Sequence, residues 1–258
     1  MSFFNKILAS VGIGGAKVDT RLESSRLYAG QEVRGVVRIE GGTVEQRIDN
    51  IYLQLMTEYL RTVNDTKIRE TAVIARFRIA GGITLAPNDR KEIPFSFDLP
   101  YSCPVSLGRN PVWLRTVLDI DMAVDPDDHD AIEVLPHPYV GVVLDALYSL
   151  GFHLRSSHCE YDRRGREVPF IQEFEFVPTT KFRSRLEELE AVFYPGPDGV
   201  GILFEIDRRL HGLAGLFSEA FDLDLEESRH KVFLPAERLR QGTDAVARQL
   251  VHFIESRL

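Results

Sequence analysis

Apolar and polar residues alternate at every second position over most of this chain, and that period admits little other than half-buried β-strands. From Lys17 to Glu23, Val18, Thr20 and Leu22 alternate with Lys17, Asp19, Arg21 and Glu23. From Glu32 to Glu40, Val33, Val37 and Ile39 lie opposite Arg34, Arg38 and Glu40, with a turn before them at Tyr28-Ala29-Gly30-Gln31 and Gly41-Gly42 after. Ile48 to Val63 and Ile68 to Ile79 read as a long hairpin across Asn64-Asp65. Lys91 to Asp98 contains Pro94, which cannot donate to a ladder and so belongs at a sheet edge. Val112 to Val124 sets Leu114, Leu118 and Ile120 on one face and Arg115, Asp119 and Asp121 on the other.

With no long helical pattern between Lys17 and Leu135, these strands predict a sandwich of antiparallel sheets. Pro136-His137-Pro138 ends the pattern, and Tyr139 to Leu150 then carries Val140, Val143, Leu144, Leu147 and Leu150 at helical spacing, with Pro138 and Gly151 placed to start and stop the helix. Strands resume at Phe152–Tyr161, Phe170–Val177, Leu186–Tyr194 and Val200–Asp207, although Leu186–Glu190 suits helix or strand. Pro235 to Leu258 reads as an amphipathic helix whose stripe is Leu239, Val246, Leu250, Phe253 and Ile254, and Phe4, Ile7, Leu8 and Val11 mark a shorter one over residues 2–12. The fold class is therefore all-β, two tandem sandwich lobes with a linker helix: residues 1–135, then 136–234 with the linker helix, then the helix 235–258. The alternation buries Val37, Ile39, Leu114, Leu118, Ile120, Phe174 and Phe176 and leaves Arg34, Arg38, Glu173 and Glu175 largely exposed.

A formal net charge of −8 argues against nucleic acid as a partner, because neutralising phosphates needs a surplus of Lys and Arg on one face. The two cysteines, Cys103 and Cys159, form no CxxC and read as small buried hydrophobes of a reducing compartment. No apolar run reaches the roughly 20 residues of a membrane-spanning helix. The opening Met1 to Gly15 matches a secretory signal poorly, so a cytoplasmic location is expected.

Four groupings invite chemistry. Gly12-Ile13-Gly14-Gly15-Ala16-Lys17 fits neither dinucleotide nor Walker spacing and reads as a hinge. Asp119, Asp121, Asp125, Asp127, Asp128 and Asp130 supply hard oxygen ligands but lack the EF-hand order, and read as a solvated turn. His153, His158, Cys159 and Glu160 would suit zinc, except that neighbours on a strand point to opposite faces, which separates His158 from Cys159. Glu173 with Glu175, and Glu205 with Asp207, each share a strand face and read as the wet side of a sheet. No catalytic, cofactor-binding or metal-binding residue is assigned, and no cofactor is expected.

Several segments resemble, in their order and spacing, the bacterial sporulation-control (SpoOM-like) family of the arrestin-like clan. They are Ser2-Phe3-Phe4-Asn5-Lys6-Ile7-Leu8, Ala16-Lys17-Val18-Asp19-Thr20, Tyr28-Ala29-Gly30-Gln31-Glu32-Val33-Arg34-Gly35, Leu150-Gly151-Phe152, Pro169 to Phe176 and Glu205-Ile206-Asp207-Arg208-Arg209. Ala29 stands where the clan commonly has proline. The resemblance implies two arrestin-like lobes, no catalytic residues and a regulatory adaptor or scaffold with protein partners, including cell-division or cytoskeletal proteins. The rival readings are a peripheral membrane protein using residues 2–12, whose single Lys6 gives weak attraction to lipid, and a metal-dependent hydrolase at Asp119–Asp130. The C-terminal stripe is too short and interrupted for a coiled coil, which favours docking within a monomer.

Overall fold

The structure is a computed structural model and describes residues 15–120, 126–164, 167–208 and 229–258. The expected helix at residues 2–12 and the glycines before Gly15 lie outside these residues. The chain divides into two units: Met1–Ser106, Asn110–Leu135 and Arg166–Pro169 in the first, and Leu107–Arg109, Pro136–Gly165 and Phe170–Leu258 in the second. Strands dominate both, as the alternation requires.

The first unit holds β1 (Lys17–Leu22), β2 (Arg26–Tyr28), β3 (Glu32–Glu40), β4 (Gln46–Val63), β5 (Thr66–Leu85), β6 (Arg90–Asp98), β7 (Val112–Ile120) and β8 (Asp127–Leu135). One sheet runs β1-β3-β6 and the other β5-β4-β7-β8-β2, with β2 and β8 the parallel pair. Pro94 lies in β6, at the edge of the smaller sheet, where its missing N–H breaks no ladder. Asn64 and Asp65 both take positive φ, 49° and 61°, the two-residue turn whose twist suits a hairpin. Val33, Val37 and Ile39 of one sheet and Leu53, Leu55, Leu114 and Leu118 of the other are buried, and the hydroxyls of Thr20 and Thr116 meet at 2.6 Å inside this core. Arg34 and Arg38 are exposed on the outer side, as expected.

Asp127, Asp128 and Asp130, read from sequence as part of a solvated turn, lie instead in a strand, Asp127–Leu135. Its Ile132 and Val134 are buried in alternation with Asp, His and Glu, and the local acidity concealed a β pattern that begins only at Ala131.

The second unit opens with helix α1 (Pro138–Ser149), started by Pro138 in its first turn and stopped at Gly151, whose φ of 83° is left-handed. Strands β9 (Phe152–Tyr161), β10 (Phe170–Pro178), β11 (Leu186–Gly196), β12 (Gly199–Arg208) and β13 (Arg229–Pro235) form an antiparallel sheet in chain order. Leu186–Glu190 is therefore strand, fixed by pairing with β12. One face of the sheet carries Phe174, Phe176, Leu189, Ala191, Phe204 and Ile206, all buried.

The chain then makes two helices, α2 (Ala236–Leu239) and α3 (Thr243–Glu255), where one was expected from Pro235. Gly242, at φ 89°, breaks them apart. The predicted stripe nonetheless docks: Leu239, Val246, Leu250 and Ile254 are buried, and Phe253 packs its ring 5.5 Å from that of Phe204. Helices α1 and α3 pack on each other and cover the apolar sheet face, with Tyr148 of α1 against Phe176. The stripe is thus used within its own unit. Leu250→Ala leaves a cavity beneath α3 and is expected to cost about 2–5 kcal/mol. The check is thermal unfolding beside the exposed control His252→Ala, whose melting temperature stays at the wild-type value.

Candidate functional site

With helices on one face of the second unit's sheet, β9 to β13, its charges collect on the other. Antiparallel register aligns Ser156, Glu175, Glu190, Glu205 and Arg229 across five strands in one row. A second row beside it runs His158, Glu173, Val192, Leu203 and Lys231. Glu188 and Asp207 are paired on the flank of the first row, and Tyr194, Gly201 and Phe233 form a further row along β11, β12 and β13. Like charges directly opposite each other destabilise a sheet, so the Glu175-Glu190-Glu205 run is unusual.

Cations relieve its two ends. Arg155 Nη2 donates to Glu175 at 3.1 Å and to Glu188 at 2.6 Å, and Arg229 Nε donates to Glu205 at 2.7 Å. Glu175 accordingly stays below the usual carboxylate range: burial pushes it up, but hydrogen bonds from Ser156 and Arg155 outweigh that. The middle of the face is different. Among the described residues, neither Glu173 nor Glu190 has an ion-pair or hydrogen-bond partner. Burial, then the charge of Glu160, pushes Glu173 up to about 7; burial, then Glu173 and Glu205, pushes Glu190 up to about 7. The expectation that Glu173 and Glu175 are largely exposed is corrected, since both are half-buried among neighbouring side chains of the same face.

His158 lies on this face, its Nε2 3.2 Å from Glu160 and 3.8 Å from Glu175. Cys159, beside it in sequence, points the other way into the core, and burial raises its thiol to about 12, so it is inert as ligand or nucleophile. Cys103 is buried as well. His153 is exposed and pairs with Val177, away from this group. The separation of His158 from Cys159 predicted by alternation therefore holds, but His158 gains Glu173 from the neighbouring strand.

Among the described residues, three members of the acidic cluster of the first unit are engaged by groups outside it. Asp119 accepts from Asn50 at 3.1 Å, Asp127 from Arg115 at 3.0 Å, and Asp128 from the Thr20 amide at 2.7 Å. Asp130, crowded by burial and by Asp128, is raised to about 6, and Asp121 and Asp125 lie outside the described residues. Among the described residues, no helix is long and apolar enough to cross a membrane.

A model of the SpoOM protein family matches residues 4–210. The chain belongs to the SpoOM family. The sporulation-control protein Spo0M of Bacillus subtilis (strain 168) is 44% identical over 227 residues, covering 86% of this chain and 87% of that protein. The crystal structure of Bacillus subtilis Spo0M matches with a TM-score of 0.84 at 35% identity, over 95% of this chain and 99% of that one. Membership in the SpoOM family supports a sporulation-related regulatory role, and the resemblance read from the sequence is borne out.

In this SpoOM-family chain the signal for the charged face was present but indirect. Carboxylates recur two positions apart at Glu173/Glu175, Glu188/Glu190 and Glu205/Asp207, on three successive strands. Only the pairing register shows that they stack. Because the folded values of Glu173 and Glu190 lie above their ordinary 4.5, the folded state binds more protons than the unfolded one between about 4.5 and 7. Stability contributed by these groups therefore falls as pH rises through that window. Glu190→Gln is expected to melt about 2–4 °C above wild type at pH 8, with the difference vanishing near pH 4.5, measured by calorimetry across pH.

Proposed function

We propose that this SpoOM-family protein is a non-enzymatic, cytoplasmic regulatory adaptor, and that the charged face of its second sheet receives a partner protein bearing a basic segment. The observation that carries this is the Glu175-Glu190-Glu205 row, whose centre, Glu190, is half-buried and forms no ion pair or hydrogen bond among the described residues. A facing Lys or Arg supplies that charge, and complementary potentials favour such encounters over wrong partners. Tyr194 and Phe233, 53% and 57% exposed, border the same face and offer the aromatic contact that interface centres favour.

Catalysis has little to stand on. The hydrolase reading needed the Asp119–Asp130 cluster to gather, and Asp119, Asp127 and Asp128 are engaged with Asn50, Arg115 and the Thr20 amide instead. The buried cysteines are poor nucleophiles. The membrane reading rests on residues 2–12, outside the described residues.

Glu190→Lys seats a cation among Glu173, Glu175 and Glu205 while sparing the fold. Affinity capture from the native cell, quantified by mass spectrometry, is expected to lose its specific partners with Glu190→Lys and to keep them with the exposed control Glu237→Lys. An identical captured set from both variants contradicts this use of the face, and turnover in a broad substrate screen contradicts the non-enzymatic role.

A further inference from the structure

We propose that His158, Glu160 and Glu173 form a binding site for one divalent transition-metal ion, with Zn²⁺ the best fit to the ligand set. One ligand atom from each residue lies within 4.8 Å of the others. The backbone fixes this convergence: Glu173 is the cross-strand partner of His158, and Glu160 follows His158 by two positions on the same face. Zn²⁺ takes imidazole nitrogen at about 2.0–2.1 Å and carboxylate oxygen at about 2.0–2.2 Å. The three side chains therefore need only a small closing movement, and His158 Nε2 already stands 3.2 Å from Glu160 Oε1.

The imidazole is the feature that separates this group from an ordinary acidic patch. Its Nδ1 lies 3.3 Å from Ser156 Oγ. A hydrogen bond there holds the ring with Nε2 turned toward the carboxylates, the second-sphere arrangement that metal-ligating histidines show. Glu173 adds a half-buried carboxylate that forms no ion pair among the described residues, Arg229 acting on it only at longer range. The site is partly open, with side-chain exposures of 22% for His158 and 32% for Glu160, which leaves an ion an entry path and room for water as a further ligand.

A neighbouring set, Glu175, Glu188 and Glu190, meets the same distance condition. Its place is already taken. The Arg155 guanidinium bridges Glu175 and Glu188, and a second cation would have to displace it. A purely oxygen set would also favour Ca²⁺ or Mg²⁺, whereas the nitrogen of His158 favours the borderline metals over them. This inference does not depend on the partner proposed above.

Isothermal titration of the chelator-washed full chain with ZnCl₂ tests it, with CaCl₂ and MgCl₂ in parallel. The expected result is one Zn²⁺ per chain that excess Ca²⁺ or Mg²⁺ does not displace. Affinity is expected to fall at least about tenfold in His158→Ala and in the near-isosteric Glu173→Gln, as even outer-sphere losses cost that much. His153→Ala and Glu188→Gln retain wild-type binding, and circular dichroism confirms the fold of each variant. Absence of stoichiometric Zn²⁺ binding overturns the proposal. So does binding that survives His158→Ala or that Ca²⁺ matches, which would mark the face as an acidic patch collecting counter-ions.

Discussion

The second unit depends on the register of its sheet. Phe174, Ala191 and Phe204 are cross-strand partners, as are Phe176, Leu189 and Ile206, and all six are buried beneath helices α1 and α3. Burying the phenylalanine, leucine and isoleucine side chains among them stabilises by about 1.5–3 kcal/mol each. A one-residue slip would turn them all to the opposite face. The same register that aligns the phenylalanines stacks Glu175, Glu190 and Glu205 on the reverse side. The repulsion in that row is a consequence of the core, and the core is large enough to sustain it.

How that repulsion is distributed gives the face its character. Arg155 and Arg229 sit at its margins, each hydrogen-bonded to carboxylates, so the outer charges are settled within the protein. Glu173 and Glu190, in the middle, are held up toward neutrality by burial first, then by neighbouring carboxylates, Glu160 for Glu173 and Glu173 for Glu190. A surface in this condition gains from any added positive charge, whether a proton, a metal ion or a partner's basic side chain. The proposed basic partner and the proposed metal ion would draw on the same group of carboxylates as the proton, so each would oppose the others' binding.

Much of this was legible along the chain. Alternation gave the strands, the buried residues Val37, Ile39, Leu114, Leu118, Ile120, Phe174 and Phe176, and the opposite orientations of His158 and Cys159. Pro94 and Pro138 marked an edge and a helix start for reasons of backbone chemistry alone. What escaped were properties set by neighbours in space. Glu173 and Glu175 were placed on the correct face, but their half-burial comes from side chains on β9, β11 and β12, which spacing within one strand cannot reveal. The meeting of Glu173 with His158 likewise exists only once β9 and β10 are paired. The break at Gly242 was missed because an amphipathic stripe continues across it, and the strand at Asp127–Leu135 because its acidic start outweighed its apolar end.

Among the described residues, Glu173 and Glu190 stand on one sheet face without ion-pair or hydrogen-bond partners while Glu175 and Glu205 are paired. Site-resolved NMR titration of the glutamate side-chain carboxyl carbons measures this directly. Glu173 and Glu190 are expected to titrate near 7, and Glu175 below the ordinary carboxylate range. Titration of all three together at the ordinary value near 4.5 would show an ordinary solvated face and would contradict the unpaired, half-buried state of Glu173 and Glu190.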